Sequence, residues 1–201
     1  NVAHCASLIR VQSTTNCDTQ LSESNFQTRF RGIKMHIRKS GESDLSKILD
    51  IYAGARERMR KNGNPTQWGD RWPLEEVILE DIQAGDSYVV ENDGEICGVF
   101  SFLVGIEPTY VHIEDGDWLN EEPYGTIHRL AGNGVMKGVF AACLEYCEGR
   151  VPNIRIDTHK DNHIMRHLLE KYGYAVCGRI YVGDNTPRIA YQKITGEGRG
   201  I

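Results

Sequence analysis

TIHRLAGNGVMKGVFAACLEYC, residues 126–147, reads as a strand, a glycine-rich loop and a helix. The strand Tyr124–Ala131 leads into a loop with glycines at 132, 134 and 138, and the helix starts at the last of them. Glycines let backbone N–H groups converge, and a helix N-terminus carries about half a positive charge. A strand feeding such a loop favours a phosphate or pyrophosphate. The same pattern is also a plain turn before a helix. Outside this stretch, elements follow at regular intervals.

Upstream, Met35–Lys39 alternates as a short strand. Ser43 or Asp44 caps a helix that turns Leu45, Ile48, Leu49, Tyr52, Ala55 and Met59 to one face. Asn62-Gly63-Asn64-Pro65 stops it, and Pro73 opens a second helix that Gly85 ends. Ser87–Glu91 and Glu95–Gly105 form a hairpin across Asn92-Asp93-Gly94, and the second strand is apolar on both faces. Downstream come a helix at Val139–Glu148, a strand at Asn153–Thr158, a helix at Asn162–Tyr172 and a final hairpin of Tyr174–Val182 with Arg188–Ile194. The order β-α-α-β-β-β-α-β-α-β-β predicts an α/β domain. Its sheet combines antiparallel N-terminal strands with a parallel part.

The chain has 201 residues, 40% hydrophobic and 25% charged, which suits one globular domain. Such a length buries a sizeable core without metal or disulfide staples. The formal net charge of −5 argues against a general nucleic-acid partner. No apolar stretch approaches the roughly 20 residues of a membrane span, and no secretory signal pattern opens the chain. The six cysteines contain no CxxC pair and fit no zinc spacing. They read as reduced cytoplasmic thiols, with no metal expected. Residues 1–34 stand apart. They are rich in polar residues and carry four Lys or Arg against two Asp or Glu. They are expected to form a loosely ordered extension, with the domain at 35–194 and a tail at 195–201.

Two familiar phosphate loops fail. Lys137 is out of register for a P-loop, and Gly132-x-Gly134 lacks the third glycine and the early βαβ unit of a dinucleotide fold. The loop resembles that of the GNAT superfamily of N-acetyltransferases. Arg129-Leu130-Ala131-Gly132-Asn133-Gly134 spells the family motif but falls on the strand, whereas Val135-Met136-Lys137-Gly138-Val139-Phe140 sits at the helix start. Arg155–Asn162, followed by Glu170-Lys171-Tyr172-Gly173-Tyr174, resembles the family's strand, Asn-headed helix and ending. The resemblance covers about residues 35–194 and is to a bacterial subgroup of unassigned substrate.

The resemblance implies a fold, a cofactor and an activity. The parallel pair of the mixed sheet splays at a cofactor cleft that takes acetyl-CoA. Its pyrophosphate meets the N–H groups of Val135, Met136, Lys137, Gly138, Val139 and Phe140. Its pantetheine pairs with Arg129, Leu130 and Ala131, and Asn162 contacts it from the helix start. The Leu130 N–H polarises the thioester carbonyl. The activity is acetyl transfer to a primary amine of a small molecule or protein. The tyrosine that many members use as acid is replaced by Leu169.

An attacking amine must lose a proton. His128, on the central strand, and Asp157, ending the next parallel strand, are the candidate catalytic residues. Without a site, they read as a packed histidine and a loop anchor. Glu114 and Trp118, in the acidic connection 112–124, and Trp68 and Trp72, in the loop after the first helix, are candidates to hold a cationic acceptor. Read otherwise, they are a solvated loop and anchoring aromatics. A non-catalytic acyl-CoA sensor and a partner-binding scaffold are the rival functions. An exposed final hairpin would allow a homodimer.

Overall fold

The computed structural model describes residues 26–30 and 32–196. Its strands are β1 (Phe26–Phe30), β2 (Ile33–Lys39), β3 (Ser87–Asn92), β4 (Glu95–Val104), β5 (Gly125–Gly132), β6 (Asn153–Thr158), β7 (Ala175–Tyr181) and β8 (Pro187–Ile194). The helices are α1 (Leu45–Lys61), α2 (Glu75–Ala84), α3 (Val139–Glu148) and α4 (His163–Lys171). One mixed sheet takes the order β1-β2-β3-β4-β5-β6-β8-β7. Only β5 and β6 run parallel; every other neighbour is antiparallel. The sheet is thus the mixed one that the element order predicts.

Alternation along the strands splits the core between two faces. Val90, Phe100, Ile127, Ile154 and Ile156 pack with Cys143, Leu144 and Cys147 of α3 and Leu169 of α4. The adjacent Val89, Val99 and Ala131 turn the other way, onto Ile48, Ile51 and Tyr52 of α1 and Ile78 of α2. Beyond those helices, that second face is covered by the 105–124 connection. Tyr110, Trp118 and Tyr124 close over Cys177, Ile180 and Ala190 there.

A polar network fastens this connection. The Gln192 amide, fully buried on β8, donates to Asn120 Oδ1 at 3.0 Å and to Asn153 Oδ1 at 2.6 Å, and accepts the Leu119 N–H at 2.7 Å. Arg155 donates to the Asn120 carbonyl at 2.7 Å, and its guanidinium lies 4.2 Å from the Trp118 ring centre and 3.9 Å from that of Tyr124. Burial lowers the pKa of that guanidinium. Trp118 is therefore an internal cation–π partner.

Two features depart from the expected layout. The strand expected at Met35 begins at Ile33, and a further strand, β1, precedes it inside the segment expected to be loose. Residues 1–25, the rest of that extension, lie outside the described residues, as do 197–201 of the tail. β1 has no long apolar run to announce it; it is held by α3. Phe26 meets Tyr146 edge-on at 5.3 Å, and Thr28 hydrogen-bonds Glu145. Phe30 covers Gly138, whose φ of +95° suits glycine. At the other end β7 is the edge, and its Arg179 exchanges two backbone hydrogen bonds with Glu114, at 2.7 and 2.8 Å. The free hairpin edge expected from sequence is thus covered at its middle.

A Cβ at Gly138 would stand 2.4 Å from the Phe30 ring. Gly138→Ala should therefore cost about 3 kcal/mol, combining left-handed strain with overpacking. Adding Phe30→Ala should cost less than it does in the wild type. Urea midpoints of the four proteins in this double-mutant cycle measure the coupling.

Candidate active site

β5 and β6 pair at only two positions, Gly125 with Ile154 and Thr126 with Arg155. Past them the strands part, and the residues beyond face each other across the opening. On β5 the first residue turned to the second face is His128; on β6 it is Asp157. The two predicted catalytic residues meet here, with His128 Nδ1 and Asp157 Oδ1 4.0 Å apart. Side chains at i and i+2 share a strand face, which explains why they approach from two strands.

The 105–124 connection adds two residues that the sequence did not flag. Glu107 Oε2 lies 3.0 Å from His128 Nε2, so the imidazole sits between two carboxylates. Tyr110, wholly buried, donates to Asp157 Oδ1 at 2.8 Å and packs its ring edge-on to His128. Trp118 donates to the Tyr110 carbonyl at 2.9 Å and stacks on its ring, which fixes Tyr110 in turn. Burial, then the charge of Asp157, push the Tyr110 phenol well up, so it stays a donor. Burial alone would also raise the Glu107 carboxyl. The bond and charge from His128, with two donors from Thr109, outweigh it and hold Glu107 at about 2. Glu107 is therefore an anion at neutral pH and a poor proton acceptor.

Just past His128, β5 bulges. Val99 pairs with Ala131 and Ser101 with His128, which leaves Arg129 and Leu130 opposite the single residue Phe100. Arg129 holds a φ of +52°, rare for a side chain of its size. Its guanidinium grips Asp81 of α2 through Nε at 2.9 Å and Nη2 at 2.8 Å, and Nη2 also reaches Ser101 Oγ at 3.1 Å. Its carbonyl accepts from the Tyr52 hydroxyl of α1 at 3.0 Å. Arg129 thus pins the bulge to both helices of the second face. Ala131 sits in the ladder, and Leu130 is left outside it.

The glycine loop follows. The Asn133 carboxamide accepts from the N–H groups of Val135 and Met136 at 3.0 and 2.9 Å, an Asx turn that orders the loop. Arg58 of α1 donates to the carbonyls of Gly132 and Asn133 and closes against Gly134, whose φ of +83° suits glycine. The first bond of α3 runs from the Ala142 N–H to the Gly138 carbonyl. Val139, Phe140 and Ala141 therefore precede any intrahelical acceptor. Of the residues at 135–140, the later ones present their amides, with Lys137 beside them. The parting strands, the bulge and this amide-rich helix start together fit an acyl-CoA thioester.

The other candidates scatter. Asn162 caps α4 by accepting the Met165 N–H at 3.1 Å and donates to Gln67 Oε1 at 3.0 Å. Trp68 packs edge-on to Tyr52, and Trp72 is exposed. Glu114 accepts from the Tyr181 hydroxyl at 2.9 Å on the β7 edge, away from His128. Arg188, Gln67 and Asp81, like Glu107, gain their place only through contacts distant in sequence.

Comparisons with known proteins bear on the family and the fold. Residues 49–174 match the Acetyltransferase (GNAT) family. Residues 1–38 match a family of unknown function, DUF6783. No curated protein matches the chain. A GNAT-family acetyltransferase from Streptococcus agalactiae is similar at 31% identity and TM-score 0.72, covering 84% of this chain and 99% of its own. One from Listeria monocytogenes matches at 20% identity and TM-score 0.64, over 84% of this chain and 99% of its own. The Salmonella typhimurium yncA structure, which holds its cofactor acetyl-CoA, matches at 16% identity and TM-score 0.51, over 83% of this chain and 96% of its own. The last two show the fold alone.

Glu107 ties the site to stability. Its folded value of about 2 lies below its ordinary 4.5, so its contribution is complete above 4.5 and is lost as pH falls toward 2. That contribution is at most about 3 kcal/mol. Glu107→Gln should flatten the acid limb, read as urea midpoints at about pH 2.5 and about pH 5.

Proposed function

Because the chain belongs to the GNAT acetyltransferase family, we propose that it is an acetyl-CoA-dependent N-acetyltransferase acting on a primary amine. The observation that carries this is the parallel pair parting after Thr126 and Arg155, with His128 and Asp157 across the gap. Bound acetyl-CoA supplies the thioester. The late loop amides at 137–140, together with Lys137, hold the pyrophosphate. Leu130, outside the ladder, offers its N–H to the oxygen that gathers charge. Asn162 and the strand residues Arg129 and Ala131 line the cofactor path.

An alkylamine near pKa 10.4 is neutral in only about one molecule in two thousand at pH 7. His128 accepts the proton as the new C–N bond forms, and Glu107 and Asp157 stabilise the resulting imidazolium. This is the division of labour between a histidine and a buried carboxylate. The C–S bond then breaks, and the thiolate leaves to water, because the buried Leu169 stands where many relatives carry an acidic tyrosine. Trp118 bears on the acceptor by fixing Tyr110, which it hydrogen-bonds and stacks on. Among the described residues the four cysteines are free and buried, which suits a reducing, cytoplasmic setting. Among the described residues no helix is long and apolar enough to cross a membrane, and no cluster suits a metal ion.

His128→Gln should lower kcat by about 10²- to 10⁴-fold and leave acetyl-CoA affinity unchanged. Thiol release under amine saturation, with calorimetric titration of acetyl-CoA, measures both. Activity within about tenfold of wild type would remove His128 from the role. Coenzyme binding without release on any amine would favour a non-catalytic sensor, the reading that Leu169 supports.

A further inference from the structure

Arg188, the second residue of β8, lies on the same sheet face as Asp157 and is 8% exposed. A guanidinium carries five donors, and burying one is costly unless they are used. Here they are used poorly. Nη1 reaches the Pro187 carbonyl at 3.3 Å, and Nη2 reaches the Gln67 carbonyl at 3.5 Å. Nε stands 3.8 Å from Asp157 Oδ2, beyond hydrogen-bond length. Asp157 accepts its short bond from Tyr110 instead. The cation is therefore buried beside the reaction centre without one close acceptor.

The surroundings keep it available. Gln67, whose carbonyl it touches, has its side chain occupied by Asn64 and Asn162, at 2.8 and 3.0 Å. His159, also buried, has its pKa lowered by burial and by the charge of Arg188, and so adds no competing cation. Arg188 and His128 flank opposite oxygens of one carboxylate, Oδ2 and Oδ1 of Asp157. A molecule with its amine at His128 thus has a carboxylate-binding fork within reach of the same small body.

We infer that the acceptor is a free α-amino acid, whose carboxylate completes the hydrogen bonds of Arg188 while its amine faces His128. This rests on the acetyltransferase reading and narrows it. Arg–carboxylate pairs are short and often bidentate, so the ligand replaces contacts of 3.3 Å and longer with closer ones. The ammonium end meets Glu107 and Asp157, which makes the site complementary to a zwitterion.

The test is thiol release from acetyl-CoA with a panel of α-amino acids, each beside its own carboxamide. The amide keeps the α-amine, lowers its pKa and lacks the carboxylate. Wild type should favour the best acid over its amide by about tenfold or more in kcat/KM. Arg188→Met should collapse that ratio, and Arg188→Lys, which keeps the charge, should retain part of it. The ratio is the readout, because losing the neighbour of Asp157 lowers both rates. Equal use of acids and amides by wild type, or an unchanged ratio in Arg188→Met, overturns the inference while leaving the acetyltransferase reading intact. If no amine is turned over, calorimetry of amino acids into the CoA-saturated protein decides. Binding that Arg188→Met abolishes supports the carboxylate site but sinks the acetyltransferase reading, and with it the amino acid as acceptor rather than ligand. No amino-acid binding overturns the inference.

Discussion

Among the described residues, two rungs of parallel pairing, Gly125–Ile154 and Thr126–Arg155, are the only strand pairing between the two halves of the sheet. The cleft exists because the ladder stops there. Two strands that stayed paired would bury their N–H and C=O groups in each other. Parted, they leave backbone and alternating side chains facing a gap. The bulge at Arg129 sharpens the parting, because an extra residue twists a strand away from its line. That conformation is strained for a non-glycine residue, so something must hold it. Asp81 and Tyr52, from two different helices, do so. The site geometry thus depends on how α1 and α2 pack.

The 105–124 connection is the second support. Its acidic composition suggests a solvated loop, yet it carries Tyr110 and Trp118 into the core and ends on a buried amide network. Gln192, Asn153 and Asn120 satisfy one another, and Arg155 fills the remaining space between two aromatic rings. The three amides hold one another in a single arrangement, since any shift leaves several of their groups unpaired. Glu107 owes its position beside His128 to that anchoring. The N-terminal strand plays a similar part for the glycine loop, where Phe30 closes the space behind Gly138.

Charge is distributed unevenly in this small volume. Glu107 and Asp157 flank the imidazole, and the one hydrogen-bonds it closely while the other takes its short bond from Tyr110. Low surrounding polarity strengthens each of these contacts and raises the cost of leaving any group unpaired. Arg188 is the exception, buried and loosely held, which is why it reads as a group waiting for an anion.

Much of this was legible in the chain. Hydrophobic period and turn residues placed α3 and β6 to the residue, and the glycine loop with the Asn162-headed helix pointed to the family. His128 and Asp157 were legible as candidates because each sits on a strand that flanks the expected cleft. Periodicity speaks only of neighbours along the chain, however. β1 was missed because FQTRF is short and polar, and its strand state depends on β2 and α3. Glu107, Tyr110 and Arg188 lie 21, 18 and 60 positions from His128, and no spacing rule links them. Local sequence determined the elements, through the preferences of side chains and the φ each turn demands. Tertiary structure alone decided which side chains share the gap, because that follows from where two strands stop pairing and what packs behind them.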